Sequence, residues 1–166
     1  MSNQFTFTTG KAARAKDSLG RTQDALGSQV CFSVYSVMLG FNKVYRRALK
    51  DLEITYPQYL VLTVLRECDN IAMTEISERL NLESSTLTPM LKRLEEQGIV
   101  SRKRYAFDER KVIISLTEKG AEVIERACNV PDYVAGATGL SAEEDHTLRA
   151  LLAKLNIQLD KSMQNA

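Results

Sequence analysis

The sequence predicts a mainly α-helical protein built on a winged helix-turn-helix: a three-helix lobe with a β-hairpin wing, flanked by N- and C-terminal helices suited to dimerisation. Three observations carry this. Residues 28–50 hold two adjacent apolar stripes at helical spacing. Residues 73–97 read as a short helix, a tight turn at Asn81-Leu82 and a second helix. After Gly98 the hydrophobic pattern changes from helical to alternating, in Ile99–Tyr105 and again in Lys111–Leu116.

The elements follow in chain order. Residues 1–27 are poor in large apolar side chains and mix Ser, Thr, Gly and Lys/Arg, as a flexible arm does. Residues 28–54 form a dimerisation helix and a linker. One stripe of that helix is Cys31, Tyr35, Met38, Asn42, Tyr45 and Leu49; the other is Val30, Val34, Val37, Phe41, Val44 and Ala48. A face that wide has to be covered, by the chain's own lobe and by another chain.

The winged lobe spans 55–117. Thr55 is a good N-cap, and Pro57 is tolerated in the first turn of a helix reaching about Cys68. Met73 to Leu80 is a short helix with Ile76 and Leu80 inward. Residues 84–97 form the next, with Leu87, Met90, Leu91 and Leu94 at helical spacing. Pro89 costs stability there unless it falls near the first turn, and Gly98 suits the C′ position. The polar tip Ala106–Arg110 joins the two strands. Residues 118–166 supply the C-terminal dimerisation helices. Thr117 caps a helix to about Cys128, with that thiol half-buried and Pro131 interrupting near the end. Ser141-Ala-Glu-Glu144 is a capping box opening a last helix to about Met163.

Composition narrows the chemistry. A chain of 166 residues, 44% hydrophobic and 26% charged, is ordinary soluble protein. No apolar run approaches the roughly 18 residues of a membrane helix, and no N-terminal apolar segment resembles a signal peptide, so a cytoplasmic location is expected. Cys31, Cys68 and Cys128 form no CxxC pair and His146 is the sole histidine, which argues against a metal site; no cofactor is expected. Net charge is only +1, so any DNA binding must rest on a local patch.

Such a patch exists. The second helix of the pair opens Glu83-Ser84-Ser85-Thr86, whose small hydroxyls can approach base edges and phosphates. Lys92 and Arg93 extend its polar face, and the hairpin adds Arg102, Lys103, Arg104, Arg110 and Lys111. From Lys92 to Lys111 there are seven basic and four acidic residues, enough to neutralise phosphates. Taken singly, each piece fits equally a solvated helix or a charged hairpin.

Cys31 sits with Tyr35 one turn on, Tyr45 fourteen residues on, and Tyr56 beyond. A thiol bracketed by phenols and followed by a DNA-reading pattern suggests a redox switch; a free cysteine is also a small packing hydrophobe. On an unbroken helix, fourteen residues span about 21 Å. Tyr45 is then out of reach of its own Cys31 but within reach of that of a symmetry mate.

The segments Leu82–Gly98 and Asp108-Glu-Arg-Lys111 make the chain similar to the MarR family of winged-helix regulators. Gln29-Val-Cys-Phe32 and Thr55-Tyr-Pro-Gln-Tyr59 resemble its organic-hydroperoxide-sensing (OhrR-like) branch. The likeness covers about residues 28–160 and leaves the arm outside. It implies a homodimeric repressor on an inverted-repeat operator, with Arg110 in the minor groove and Asp108 orienting it. It implies that Tyr45 and Tyr56 of the partner donate hydrogen bonds to the Cys31 sulfur, that organic hydroperoxide oxidises Cys31 to sulfenic acid and releases the DNA, and that a low-molecular-weight thiol can then form a mixed disulfide. Tyr35 fits either sulfur contact or packing. Ala72 stands where relatives often have a capping Thr. Gly136 stands where two-cysteine members have a resolving cysteine, so Cys31 is expected to act alone; Cys68 and Cys128 read as inert, with overoxidation of Cys31 or a bond from it to Cys128 staying open. Two alternatives remain open: a repressor released by a phenolic or aromatic ligand, and a thiol peroxidase. A regulator rather than an enzyme is the expectation.

Overall fold

The structure, a computed structural model, describes residues 29–105 and 108–164, without the side chains of 108–110. The chain falls into two units, residues 1–42 and 43–166. The described part of the first is the larger, N-terminal portion of helix α1 (Val30–Ala48). The expected arm 1–27 lies outside the described residues. No α1 side chain is buried: Val30 is 64% exposed, Tyr35 60% and Met38 52%.

The second unit continues from the end of α1 through a 3-10 turn at Lys50–Leu52 to α2 (Tyr56–Glu67), β1 (Ile71–Ala72) and α3 (Met73–Leu80). Then come α4 (Ser84–Glu96), β2 (Val100–Tyr105), β3 (Asp108–Leu116), α5 (Glu118–Arg126), α6 (Val130–Thr138) and α7 (Ala142–Gln164). The sheet is antiparallel in the order β1-β3-β2. This is a mainly helical winged helix-turn-helix.

The lobe closes on apolar side chains placed at helical spacing. Leu62 and Leu65 of α2, Ile76 of α3, Leu87, Leu91 and Leu94 of α4, and Ile114 of β3 are completely buried, and β3 packs against α2 and α3. Each such leucine or isoleucine contributes about 1.5–3 kcal/mol of transfer free energy. Met90 and Leu80, expected inward, are only half-buried.

Local signals set the element ends. The Gln58 carboxamide oxygen accepts from the Thr55 amide at 2.8 Å and from its hydroxyl at 3.0 Å, closing the first turn of α2. Asn81 adopts φ 50° and lets the Leu82 amide reach the Ser77 carbonyl, so the helix-turn-helix bend is an αL cap. Gly98, at φ 70°, does the same after α4, with the Ile99 amide on the Leu94 carbonyl at 2.9 Å. The Ser141–Glu144 capping box forms as expected; hydrogen bonds to the Glu144 carboxylate from the Ser141 amide, and then from its side chain, hold that carboxyl below its ordinary range.

As read from the sequence, Pro89 lies inside α4; being beyond the first turn, it leaves the Ser85 carbonyl without its helical N–H. Three features differ from expectation. Ala72, at the N-cap of α3, makes no side-chain cap hydrogen bond and also belongs to β1, an unforeseen strand, paired with Ile113. The helix after Thr117 stops at Arg126, and Pro131 sits in the first turn of a separate α6 rather than ending the earlier helix. As a result Cys128 falls in the α5–α6 turn and is exposed, not half-buried.

Thr117 and Gly120 fix the base of the wing. The Thr117 hydroxyl accepts from the Gly120 amide at 3.0 Å and donates to the Gly98 carbonyl at 2.7 Å. A Cβ on Gly120 would stand 2.1 Å from the Ile99 carbonyl oxygen, so only glycine allows α5 this close. Asp69 accepts from the Leu116 amide at 2.9 Å, and the Asn70 carboxamide oxygen accepts from the Ser115 hydroxyl at 3.1 Å, pinning β3 from the other side.

Candidate functional site

Two groups of candidate residues stand on this frame. The first is α4 with the wing. Glu83 is the N-cap of α4 and makes no side-chain cap hydrogen bond. Ser84, Ser85 and Thr86 form its first turn and are all exposed; the Ser85 hydroxyl donates to Glu83 at 3.2 Å. First-turn amides without a side-chain cap, among small hydroxyls at the positive end of a helix, suit an anionic oxygen. Lys92 is exposed and only loosely paired with Glu96, at 3.9 Å. Arg93 is exposed.

On the wing, Lys103, Arg104 and Lys111 are exposed. Asp108 and Arg110 lie in β3, which begins three residues earlier than the alternation suggested. Pairing is regular from Val100↔Leu116 to Arg104↔Val112, then shifts so that Tyr105 pairs with Asp108. Arg102 departs from the rest of the patch. Its guanidinium is turned toward α4 and meets the Glu95 carboxylate at 3.4 Å.

The second group is the phenol cluster. Tyr45 and Tyr56 stack with ring centroids 3.9 Å apart and planes at 26°. Tyr59 stands 6.2 Å from Tyr45, tilted by 36°. Sequence reasoning joined Tyr45 with Tyr56 but missed Tyr59, although Tyr56 and Tyr59 are three apart on one helix and so share a face. Burial, and then the neighbouring Tyr56 hydroxyl, push the Tyr45 phenol up from 10.0 to about 12. The Tyr45 hydroxyl is therefore a neutral phenol, hydrogen-bonded to its neighbour Tyr56.

Cys31 lies in the first turn of α1, exposed, with its sulfur 3.6 Å from Gln29 Oε1. Tyr35 follows one turn on and is also exposed. α1 runs unbroken from Val30 to Ala48, as the separation of Cys31 from Tyr45 required. Cys68 is half-buried at the C-cap of α2. Among the described residues no group of His, Cys, Asp and Glu could hold a metal ion, and no helix is long and apolar enough to cross a membrane.

A shallow depression of about 210 Å³ lies between the start of α2 and α4, lined by Thr55, Pro57, Gln58, Thr86, Pro89, Met90 and Arg93. It is smaller than the roughly 300–1,000 Å³ usual for small-molecule pockets.

Comparison with known proteins agrees with the fold. The family described as "Transcriptional regulator SarA/Rot" matches residues 43–127. The organic hydroperoxide resistance transcriptional regulator of Bacillus subtilis (strain 168) is 44% identical over 130 residues, 78% of this chain and 88% of that protein. Reduced AbfR bound to DNA superposes with a TM-score of 0.72 at 37% identity, over 83% of this chain and 94% of the other. Overoxidised AbfR bound to DNA superposes with a TM-score of 0.68 at 38% identity, over 80% and 94%.

Proposed function

The chain belongs to the winged-helix transcriptional regulators of the MarR and SarA type, and we propose that within them it is a repressor that binds operator DNA when Cys31 is reduced and leaves it when organic hydroperoxide oxidises Cys31. The observation that carries this is the stacked Tyr45–Tyr56 pair, which sets two phenols side by side near the end of α1. A neutral phenol is a hydrogen-bond donor that favours thiolate over thiol, and thiolate is the nucleophile toward peroxide. The hydroperoxide resistance regulator of Bacillus subtilis and the DNA complexes of reduced and overoxidised AbfR support the same assignment.

The donors and the thiol meet between two chains. On an unbroken helix, fourteen residues would carry Tyr45 about 21 Å from its own Cys31, out of its reach. The exposed apolar face of α1, and that of α7 with Leu148, Leu151, Leu152 and Leu159 outward, need cover that a second copy supplies. Within the dimer the partner's phenols face Cys31. The thiolate attacks the outer peroxide oxygen; an S–O bond forms, the O–O bond breaks and the alkoxide leaves, taking a proton from water to become the alcohol, which gives Cys31 sulfenic acid. A small thiol then condenses with it, releasing water and leaving a mixed disulfide. Polar bulk inside a packed interface shifts the helices and separates the two α4 reading heads. On the DNA side, Ser84, Ser85 and Thr86 approach bases and phosphates, and Lys92, Arg93, Arg104, Arg110 and Lys111 supply positive charge, Arg110 being oriented by Asp108.

The test is the Cys31→Ser variant in an operator-binding assay with cumene hydroperoxide. Binding close to wild type with no release on oxidation is expected. Release that persists in Cys31→Ser and disappears in Cys68→Ser or Cys128→Ser would overturn the assignment of the thiol. Release of Cys31→Ser by an aromatic ligand would favour a ligand-gated repressor, for which a second depression of about 320 Å³, lined by Arg47, Ala48, Arg126, Asn129, Val130 and Tyr133, offers room.

A further inference from the structure

We infer that Arg102 is a positioning residue that braces the wing against helix α4 through Glu95, rather than one of the wing's DNA contacts. Alternation along β2 sets its direction. Val100 is buried, with 2% of its surface exposed, and Arg102, two residues on, points to the same inner face. β2 packs against α4, and Glu95 lies in the last turn of α4 beside the buried Leu94. The Arg102 side chain is 23% exposed, its Nη1 stands 3.4 Å from Glu95 Oε2, and its Nε is buried with no hydrogen-bond partner.

Exposure separates this pair from its neighbour. Lys92 and Glu96 stand 3.9 Å apart with both side chains more than 60% exposed, a solvated pair free to let go. Arg102 has been drawn inward far enough to bury its Nε, so reaching a phosphate would require it to give up Glu95. Its position also sets a cation at the C-terminal, negative end of α4. The effect is to join the two DNA-facing elements into one body. A shift of α4 carries the wing with it, so oxidation at a distance disengages both at once. This consequence rests on the DNA-binding reading proposed above; the brace itself does not.

The test uses the full chain and a short duplex selected from a randomised pool by the wild-type protein. Arg102→Ala and Glu95→Gln are each expected to weaken binding roughly threefold to fivefold. The double variant should lose no more than either alone, and the salt dependence should keep its slope. The reversed pair, Arg102→Glu with Glu95→Arg, should restore binding. A DNA contact predicts the opposite pattern: Arg102→Ala would cost as much in the Glu95→Gln background, the salt slope would fall by about one counterion, and the reversed pair would bind worst. Amide hydrogen exchange of the DNA-free protein is the second measurement. Arg102→Ala and Glu95→Gln should each speed exchange along Ser101–Arg104, whereas Arg104→Ala should not. Unchanged exchange would overturn the brace. A wild-type protein that selects no duplex would overturn the DNA reading, and the exchange data would still decide the brace.

Discussion

The proposed thiol site shared between subunits makes a quantitative prediction about a mixed dimer. One chain carries Cys31→Ser and the other Tyr45→Phe, so the single remaining Cys31 sits on the chain that lacks its own Tyr45. If the phenol serves the partner's sulfur, that Cys31 faces an intact Tyr45 and reacts at the wild-type rate. The magnitude at stake follows from the structure. Tyr45 keeps its proton up to about pH 12, so toward a thiolate it acts purely as a donor. A hydrogen bond to a charged acceptor contributes about 1.5–3 kcal/mol, which raises the thiolate fraction about tenfold to a hundredfold. The same bond dulls the nucleophile, and a Brønsted coefficient of about 0.4–0.5 cancels nearly half of that gain on a logarithmic scale. Removing the phenol should therefore slow oxidation by about threefold to tenfold. Stopped-flow trapping of the sulfenic acid measures this directly. The Tyr45→Phe homodimer should be slow by that factor and the mixed dimer should not. A mixed dimer as slow as the Tyr45→Phe homodimer would refute the cross-subunit site.

Other consequences follow from the same geometry. Arg110→Ala should weaken operator binding and lower the salt slope by about one, with Asp108→Ala milder, in fluorescence anisotropy at several salt concentrations; unchanged affinity and slope would remove the wing from the interface. Gly120→Ala should cost about 3 kcal/mol in chemical denaturation, the upper end of overpacking penalties, because the added Cβ meets the Ile99 carbonyl at 2.1 Å; a loss below about 1 kcal/mol would mean that α5 shifts freely. The Tyr45 proton is bound more tightly in the folded chain than at its ordinary value of 10.0. Its contribution to stability is therefore complete below pH 10 and declines as the pH rises toward about 12. Ultraviolet titration should show a late-ionising phenol that Tyr45→Phe removes; an unaltered titration curve would contradict the burial of that ring.

Much of the fold was legible because it is written over short distances. Asn81 and Gly98 end α3 and α4 through their own tolerance of positive φ, and Ser141 and Glu144 cap α7 within one turn. Leu87, Leu91 and Leu94 announce the buried face of α4 by spacing alone. Such signals depend on a residue and its neighbours, and no distant segment needs to be known. The candidate DNA-facing group was assembled from signals of the same kind, hydroxyls at the start of one helix and basic residues along one hairpin.

What the tertiary structure decided are the meetings of residues far apart in the chain. β1 is two residues long, too short for any alternation to show, and exists only because β3 returns beside it. Tyr59 joins Tyr45 and Tyr56 because α2 packs near the end of α1. Gly120 looked like an ordinary helical glycine until the Ile99 carbonyl was found against it. Arg102 and Arg104 share a strand, a charge and a face in sequence, yet one is drawn to Glu95 and the other is exposed. Charge pattern reports where a side chain begins. Where a long, flexible arginine ends depends on which carboxylate the packed fold brings within its reach, and that is a property of three-dimensional proximity.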